Sequence, residues 1–163
     1  MLETYRCKII KIKETDYEDV KKLYFDEKAR EFLGGIVDSE RYDNNFSKMV
    51  TYDNGSIYWV VRHNATNEFV GLVSLDKHHD GLNTEVSYQF IPKWWGYGYA
   101  EEVIRRIINY AFEELQLINI VAETQSENIA SCKLLKKVGM ELQKSVRRFG
   151  NEQHIFRISN SSC

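Results

Sequence analysis

The stretch Pro92-Lys93-Trp94-Trp95-Gly96-Tyr97-Gly98-Tyr99-Ala100-Glu101-Glu102 lies between a strand-like run, Glu85–Ile91, and a long amphipathic helical pattern. Two glycines and an alanine alternate here with aromatic residues, so the backbone at the helix entrance is poorly covered by side chains. The first amides of a helix lack internal partners and lie at the positive end of its dipole. The stretch therefore predicts an anion-binding loop that a pyrophosphate can approach closely.

Two common phosphate-binding loops do not fit this stretch. A Walker A loop needs a glycine followed by Lys and then Ser or Thr, and neither Gly96 nor Gly98 is followed by these residues. The dinucleotide fingerprint needs a small residue three positions after Gly98, where the chain has Glu101. The segment Lys93-Trp94-Trp95-Gly96-Tyr97-Gly98 instead resembles the acyl-CoA pyrophosphate loop of the GNAT N-acetyltransferase superfamily, Arg/Gln-x-x-Gly-x-Gly/Ala. Lys93 replaces the usual Arg or Gln, at a position that contributes mainly through its backbone.

A second block supports the same resemblance. Asn128-Ile129-Ala130-Ser131-Cys132-Lys133-Leu134-Leu135-Lys136-Lys137-Val138-Gly139-Met140 resembles the family's Asn-x-x-Ser-x-x-Leu-x-Glu-Lys-x-Gly-Phe segment, with Lys136 and Met140 in place of Glu and Phe. The run from Trp95 to Glu102 is similar more narrowly to the RimJ/RimL-type branch, whose members acetylate protein N-termini and small amines. The resemblance covers about Tyr58–Ile158, and the N-terminal third is less diagnostic.

The length and composition limit the fold. A chain of 163 residues, 43% hydrophobic and 28% charged, suffices for one globular domain with its own core and not for two. Apolar runs fall short of the roughly 20 residues of a membrane span. The resemblance implies one GNAT-type domain over residues 1–163, an α/β fold of the α+β kind. Its central sheet should be mixed, mostly antiparallel and flanked by helices.

The cysteines and the chain start bear on the compartment. An odd number of widely spaced cysteines, Cys7, Cys132 and Cys163, favours free thiols in a reducing environment. The first residues contain no apolar signal core. The sequence therefore predicts a cytoplasmic protein with no membrane partner, in which the glycosylation patterns at Asn64 and Asn160 are chance matches.

Charge is distributed unevenly along the chain. The net charge of −2 and the pI of about 6.1 argue against nucleic acid as a partner. Residues 14–43 contain ten acids and five bases, whereas residues 130–157 contain seven bases and two acids. A basic half suits the phosphates of CoA and an acidic half suits a cationic amine, although two solvated helix faces would give the same distribution.

Hydrophobic periodicity and turn residues predict the order βααβββαβαββ, which is the order that GNAT domains show. The strands are predicted at Tyr5–Lys13, Ile57–Arg62, Phe69–Leu75, Thr84–Ile91, Ile118–Ala122, Glu141–Arg148 and Gln153–Ile158. The helices are predicted from Asp16 to about Tyr24, in a short stretch ended by Gly34-Gly35, from Asp38 or Ser39 towards Tyr52, at Gly98–Leu115 and at Asn128–Lys137.

Glu85 is the candidate general base. In a strand, Glu85, Ser87, Gln89 and Ile91 share one face and the intervening residues the other. An amine attacks only in its free form, and a carboxylate at the cleft can accept the proton directly or through water. Burial beside aromatic residues would raise its pKa and improve it as a base. An exposed or salt-bridged glutamate is the alternative interpretation.

The resemblance implies further roles along the fourth predicted strand. In the family this strand bulges and parts from the fifth, and the acyl-pantetheine arm lies in the gap beside the strand end, here Gln89, Phe90 and Ile91. An unpaired amide near Gln89 would then stabilise the oxyanion that develops at the thioester. The loop residues Trp95, Gly96, Tyr97, Gly98, Tyr99 and Ala100 would bind the pyrophosphate.

The second block supplies the candidates for the leaving group. Many GNAT enzymes place a tyrosine where this chain has Leu135, whereas the RimJ/RimL-type pattern offers the Ser131 hydroxyl to the departing thiolate. Asn128 would bind the pantetheine amide, and helix capping is compatible with that role. Lys137, with Lys133 and Lys136, could meet the 3′-phosphate, although solvated lysines are the commoner outcome.

Other side chains suggest weaker sites. The aromatic residues of the loop favour packing over a nucleic-acid platform, given the acidic pI. His78 and His79 point opposite ways on an extended chain, so a metal site is not expected, and one of them could line the acceptor cleft with Asp76. Cys132 favours burial over a covalent role, which predicts direct attack by the amine in a ternary complex.

The acceptor stays open at the level of sequence. It is a protein N-terminal amine, as for ribosomal-protein-alanine acetyltransferases, or a small amine such as a polyamine, an aminoglycoside or an amino acid. A catalytically silent acyl-CoA-binding module is the hypothesis from another class, which the presence of Glu85 and Ser131 opposes. Homodimers are common among soluble domains, and the terminal hairpin could supply an interface.

Overall fold

Alternating apolar and polar residues form the strands of this chain, whose computed structural model describes residues 1–51 and 54–161. The strands are β1 (Leu2–Glu3), β2 (Cys7–Lys11), β3 (Ile57–His63), β4 (Phe69–Lys77), β5 (Thr84–Phe90), β6 (Asn119–Gln125), β7 (Glu141–Arg148) and β8 (Asn151–Ser159). The helices are α1 (Tyr17–Tyr24), α2 (Ser39–Thr51), α3 (Tyr99–Glu113) and α4 (Ile129–Lys137). Short 3₁₀ turns occupy Glu14–Asp16 and Pro92–Trp94.

The strands that the structure describes form one sheet in the order β1-β2-β3-β4-β5-β6-β8-β7. Neighbouring strands are antiparallel except for β5 and β6, which run parallel because α3 crosses over between them. The predicted mixed, mostly antiparallel sheet flanked by helices is confirmed. The one parallel junction lies in the middle of the sheet, where the candidate site is found.

Helices cover both faces of the sheet. α3 and α4 pack on one face through buried side chains that include Ile104, Ile107 and Leu135. α1 and α2 pack on the opposite face through Leu23 and Tyr42. Full burial of such side chains stabilises a fold by about 1.5–3 kcal/mol each. The two cores hold α3 and α4 on one side of β5 and α1 and α2 on the other.

The helix between Asp26 and Gly35 is not formed, and this prediction was wrong. The segment consists of successive turns, and both Gly34 and Gly35 have positive φ, 88° and 81°. The Arg30 guanidinium donates to the carbonyls of Leu33 and Gly35, both at 2.9 Å. The side chain therefore holds the end of this turn segment in place at the two glycines of positive φ.

Two other predictions need correction. The chain start adds a short strand, β1, which pairs with β2 and had no sequence signal. Asp16 precedes α1, but its carboxylate does not cap that helix. It accepts instead from the Lys13 amide at 3.0 Å and from Arg62 at 2.8 Å. Asp38 is the cap of α2, since it accepts from the Arg41 amide at 2.8 Å.

The remaining boundaries agree with the sequence to within a few residues. Tyr52, towards which the helix from Asp38 or Ser39 is predicted to run, lies outside the described residues, as do Cys163 and the last residue of the second glycosylation pattern. The described cysteines, Cys7 and Cys132, are buried free thiols. None of the helices in residues 1–51 and 54–161 is long and apolar enough to cross a membrane.

Candidate active site

The strands β5 and β6 part almost as soon as they meet. Their parallel pairing has one register pair, Glu85 with Val121, whereas β4 pairs with β5 along the whole of Thr84–Phe90. The parting implied by the resemblance is therefore present. The implied bulge is not, since the β4–β5 register runs without a shift across this fully described segment.

The alternation of the ladder shows which amides face the gap. The Ile91 amide donates to Val70 of β4 at 2.9 Å, so the odd-numbered amides of β5, Gln89 included, point towards β4. The even-numbered amides, of Tyr88 and Phe90, point towards β6. The amide of Gln89 itself therefore does not face the gap, and the amides that do are those of its neighbours, Tyr88 and Phe90.

The side chains of β5 divide as the period of a strand predicts. Val86, Tyr88 and Phe90 join the core under α3 and α4, whereas Ile91 joins the core under α1 and α2. The Trp95 indole donates to the Phe90 carbonyl at 2.8 Å, across the mouth of the gap. This contact fixes the end of β5 against the loop that follows.

A glycine-rich turn presents free amides at the entrance of α3. Gly96 and Gly98 have φ of 83° and 82°, a left-handed conformation that residues with a Cβ rarely adopt. The first intrahelical bond runs from the Glu102 amide to the Gly98 carbonyl, so the preceding helix-terminal amides have no intrahelical acceptor. A Cβ built on Gly96 meets nothing within 4 Å, which leaves this side of the loop open. The arrangement fits the pyrophosphate of an acyl-CoA.

Arg6 and Glu102 fix this turn from outside the motif. The Arg6 Nε donates to Glu102 Oε1 at 2.9 Å, and its Nη1 donates to the Tyr97 carbonyl at 2.9 Å. Glu102 also accepts from the Arg6 amide and from the Thr4 hydroxyl. Sequence reasoning missed this clamp, because Arg6 lies far from the loop in sequence and no local pattern marks it.

The aromatic residues of the loop divide between packing and exposure. Trp94 stacks on His63 at 5.3 Å between ring centroids and meets Tyr99 edge-on, also at 5.3 Å. Trp95 and Tyr97 are 43% and 67% exposed. For Trp94 and Tyr99 the packing interpretation is confirmed.

Ser131 lies at the start of α4, beside β5. The Asn128 side chain accepts from the Ser131 amide at 3.1 Å, so its capping role is confirmed. The Ser131 hydroxyl lies 2.5 Å from the Tyr88 hydroxyl, and burial raises the pKa of the Tyr88 phenol to about 12. Leu135 is buried in the core, so the phenol near this helix comes from β5 instead. Sequence reasoning placed Tyr88 on the right face and missed its contact with Ser131.

The lysines of α4 differ in what they contact. The Lys137 Nζ lies 3.2 Å from Glu101 Oε2, at the first turn of α3. Arg105 joins Glu101 and also donates to the Lys137 carbonyl at 2.6 Å. Lys137 therefore lies beside the first turn of α3, where its ammonium pairs with a carboxylate.

A cavity of about 520 Å³ opens on the α1 and α2 side of β5, and we call it the acceptor cavity. Its wall combines phenols, neutral polar groups, apolar groups and charges of both signs. The lining residues are Tyr24, Leu33, Asn45, Lys48, Met49, Asn54, Ser56, Tyr58, Leu72, Ser74, Asp76, Lys77, His79, Glu85, Ser87, Tyr88 and Gln89. The cavity therefore reaches the same strand that faces the gap on its other side.

Glu85 lies where the acceptor cavity meets the β5–β6 junction. Its Oε2 accepts from the Glu123 amide at 3.2 Å. Burial raises the pKa of the Glu85 carboxyl to about 7, with further increases from Glu123 and Asp76, while His78 lowers it. A carboxylate with this pKa can accept and release a proton near neutral pH.

Asp76 has the opposite character from Glu85. Burial would raise its pKa, but hydrogen bonds from Ser56, from the Lys77 amide and from Tyr58 outweigh burial and lower it. Asp76 therefore stays ionised and serves as a fixed negative charge in the acceptor cavity. Two carboxylates of one cavity thus have different protonation behaviour because their hydrogen bonds differ.

The two adjacent histidines occupy different environments. His79 lines the acceptor cavity, together with Asp76, as the sequence allowed. His78 is buried, and its Nε2 lies 2.7 Å from Glu123 Oε1. The other carboxylate oxygen of Glu123 accepts a hydrogen bond from Arg148 at 3.0 Å. No cluster of three or more potential metal ligands is present in residues 1–51 and 54–161.

Comparison with known proteins gives one family. The model of the acetyltransferase (GNAT) domain matches residues 6–141. The uncharacterized N-acetyltransferase YoaA of Bacillus subtilis is 27% identical over 158 residues, which cover 91% of this chain and 87% of that protein. The FsC-acetyl coenzyme A-N(2)-transacetylase of Aspergillus fumigatus is 42% identical over 57 residues, 35% of this chain and 24% of that protein.

Solved structures share the fold. A GNAT-family acetyltransferase from Bacillus anthracis superposes with a TM-score of 0.84 at 24% identity, over 97% of each chain. The spermidine N-acetyltransferase of Vibrio cholerae, in complex with CoA and spermine, superposes with a TM-score of 0.82 at 20% identity. The match covers 95% of this chain and 96% of that one. These likenesses are of fold.

Proposed function

The chain belongs to the GNAT acetyltransferase family and is an acetyl-CoA-dependent N-acetyltransferase, and from this premise we propose how it transfers the acetyl group and to what. The amine acceptor binds in the acceptor cavity and attacks the thioester directly in a ternary complex. Glu85 is the general base, and the acyl-CoA lies on the other side of β5, between the α3 entrance and α4.

The position of Glu85 carries the proposal. It is a cavity-lining carboxylate at the junction where β5 and β6 part, with a pKa of about 7 because it is buried. A primary amine is mostly protonated at neutral pH, so a base that ionises near pH 7 can take its proton, directly or through water. Such placement of a perturbed carboxylate is typical of a catalytic site.

The opposite side of β5 would hold the cosubstrate. Acetyl-CoA supplies the activated acetyl group and a thiolate leaving group. The amides at the entrance of α3 and the open face of Gly96 would bind the pyrophosphate, with Lys137 near a phosphate. The Tyr88 amide, which faces the gap, would donate to the acetyl oxygen as negative charge develops.

The departing thiolate would meet Ser131. The Ser131 and Tyr88 hydroxyls share a hydrogen bond, so a proton that Ser131 gives to sulfur can be replaced from the phenol. A covalent route through Cys132 is disfavoured, because burial raises the pKa of its thiol and leaves less of the nucleophilic thiolate. We therefore propose that the amine attacks the thioester directly, without a covalent acetyl-enzyme intermediate.

For the acceptor, we propose a protein N-terminal amine, as in the RimJ/RimL-type branch. The neutral polar lining, which includes Asn45, Ser87 and Gln89, suits the amide groups that follow such an amine. The Lys48 and Lys77 amines also line the cavity, and among the described residues neither pairs with a carboxylate. Two such lysines disfavour a polycation and tolerate a peptide.

A small cationic amine is the second candidate. Asp76 and Glu85 place two carboxylates in the cavity, which favours an acceptor that carries positive charge. The Vibrio cholerae enzyme of the same fold is a spermidine N-acetyltransferase, although a likeness at 20% identity speaks to fold alone. The charges of the cavity wall thus support both classes in part.

The deciding experiment measures CoA-thiol release from acetyl-CoA with two separate acceptor pools. One pool contains short peptides with free N-termini, and the other contains polyamines, aminoglycosides and amino acids. Release with the peptides alone supports the proposed acceptor, and release with the second pool alone supports the alternative. Release with neither, alongside tight acetyl-CoA binding, would favour a silent acyl-CoA-binding module and remove Glu85 from the mechanism.

A further inference from the structure

A group of charged side chains centred on the buried His78 and Glu123 lies behind Glu85 and has no role in the steps above. His78 is 3% exposed and follows the end of β4. Its Nε2 lies 2.7 Å from Glu123 Oε1, and its Nδ1 lies 3.1 Å from Asp80 Oδ2. The second oxygen of Glu123 accepts from Arg148 at 3.0 Å. The group thus joins the end of β4, β6 and the end of β7.

The His78 ring lies between two carboxylates. A neutral imidazole has one N–H, which can donate to Glu123, whereas an imidazolium can donate to both carboxylates at once. The Asp80 amide donates towards Nδ1 at 3.3 Å, which suits the neutral ring, and Asp80 Oδ2 lies 3.1 Å from the same nitrogen, which suits the charged ring. Burial disfavours the charged ring, yet hydrogen bonds to Glu123 and Asp80 outweigh burial and raise the pKa of His78.

The link to the catalytic carboxylate runs through the backbone of β6. Glu123 donates its amide to Glu85 Oε2 at 3.2 Å, while its side chain is held by His78 and Arg148. The same residue therefore anchors the buried charges and hydrogen-bonds the general base. His78 also brings positive charge close to Glu85 without entering the acceptor cavity, whose lining includes His79 and not His78.

We propose that His78 is a positioning residue for Glu85: it holds the Glu123 segment of β6 in place, and its positive charge keeps the Glu85 carboxylate able to ionise near neutral pH. This inference rests on the proposed role of Glu85 as the base. The acids around Glu85 oppose its ionisation, and His78 offsets them. The charged and titratable groups that face this pair are Lys48 from α2, Tyr58 from β3, Asp76 and Lys77 from β4, Tyr88 from β5, His79 and Asp80 from the loop after β4, Glu123 from β6 and Arg148 from β7.

The test replaces the charge and keeps a hydrogen-bond donor. In His78→Gln the amide can still donate to Glu123, but the positive charge is gone. An opposite charge close to a carboxylate lowers its pKa, so the midpoint of Glu85 ionisation should move up by about one pH unit. The midpoint is read directly from the ¹³C carboxyl signal of Glu85, assigned with Glu85→Gln, in the wild type and in the variant.

A matched control and a kinetic measurement complete the test. His154→Gln removes another histidine, whose ring contacts Ser145 on the surface, and should leave the Glu85 midpoint in place. With one acceptor throughout, the acid limb of kcat/KM should move up with the Glu85 signal in His78→Gln, while acetyl-CoA affinity holds. A folded His78→Gln protein with an unmoved Glu85 midpoint would overturn the proposal.

The wild type offers a measurement that needs no variant to fold. In its ¹H–¹⁵N spectrum of the histidine rings, the His78 ring should carry both protons above the ordinary midpoint of about 6.5. A His78 ring that titrates at or below that value would also overturn the proposal. The carboxyl and ring titrations require no acceptor. A protein that is inactive with every pool therefore contradicts the proposed function, while the two titrations still decide between a charged and an uncharged His78 beside Glu85.

Discussion

The two sides of β5 differ in how their functional groups are encoded. On the acyl-CoA side, the loop at residues 92–101 and the start of α4 carry their candidates within two short blocks of sequence. On the acceptor side, the cavity is lined from α1, α2, β3, β4 and β5, at positions from Tyr24 to Gln89. A cosubstrate held through backbone amides needs a local motif. An acceptor held by side chains needs only that distant residues converge.

The largest expected effect comes from Glu85, on the acceptor side. Glu85→Gln removes the base and keeps the size of the side chain, so kcat should fall by about 100-fold or more. Acetyl-CoA affinity, measured by calorimetry, should hold, because Glu85 does not belong to the loop. Unchanged turnover would place the base elsewhere, and a parallel loss of acetyl-CoA affinity would show that the two sides are not separable.

The pH profile sharpens the same comparison. Since the pKa of Glu85 is about 7 and the ionised form is the base, kcat/KM should fall as the pH drops below 7. With one base the decrease in kcat/KM approaches about tenfold for each pH unit. The acceptor amine adds a second limb to the pH profile, at the pKa of that amine. Acetyl-CoA binding should change far less than the rate over pH 6–8, because Glu85 does not belong to the loop. Two acceptors with different amine pKa values separate the enzyme's limb from theirs.

Gly98→Ala should break the acyl-CoA side alone. With φ of 82°, alanine at this position costs roughly 1–2 kcal/mol, and its Cβ would lie 3.4 Å from Arg6 Nη2. A loop that relaxes this strain would no longer present its amides in the same direction, so acetyl-CoA affinity should fall about tenfold, while the KM of the acceptor changes little.

The matched control for this change is Gly150→Ala. Gly150 also has positive φ, 77°, and lies in the β7–β8 turn, far from the loop in sequence. It should lower thermal stability to a similar extent and leave acetyl-CoA affinity alone. Equal losses of affinity in both variants would trace the effect to general destabilisation.

The smallest expected effects concern the hydroxyl pair. Ser131→Ala and Tyr88→Phe should each lower kcat by about threefold to tenfold, because a CoA thiolate leaves readily and needs less help than the amine. If the two hydroxyls act as one relay, the double variant should be no slower than Ser131→Ala, as a double-mutant cycle would show. Multiplied effects would mean that Tyr88 acts independently of Ser131.

The sequence predicted most of the elements, and its failures have physical reasons. The strands around the loop and the helix after it follow from periodicity, which is a local property. The short helix predicted before Gly35 is replaced by successive turns, and the Arg30 side chain holds them through the carbonyls of Leu33 and Gly35, contacts that no local pattern marks. The short β1 had no signal, since two residues carry no period.

Within the site, the sequence predicted roles that depend on local backbone conformation better than roles that depend on contacts between distant residues. The loop glycines adopt the positive φ that their sequence suggests, and Asn128 caps α4. The amides facing the gap are those of Tyr88 and Phe90 and not that of Gln89, because strand phase depends on the register with β4. Arg6 with Glu102, and His78 with Glu123, are contacts between residues far apart in sequence, which no single-sequence pattern marks.

The sequence by itself determined the acyl-CoA loop, the amphipathic α3 and the face of β5 on which Glu85 lies, because each follows from local backbone chemistry or the period of an element. The tertiary structure alone decided that β5 and β6 part after one register pair, that Tyr88 meets Ser131, and that Glu85 is half-buried close to Asp76 and the His78 group. Burial and charge proximity set the pKa of a carboxylate, and both are properties of the folded chain.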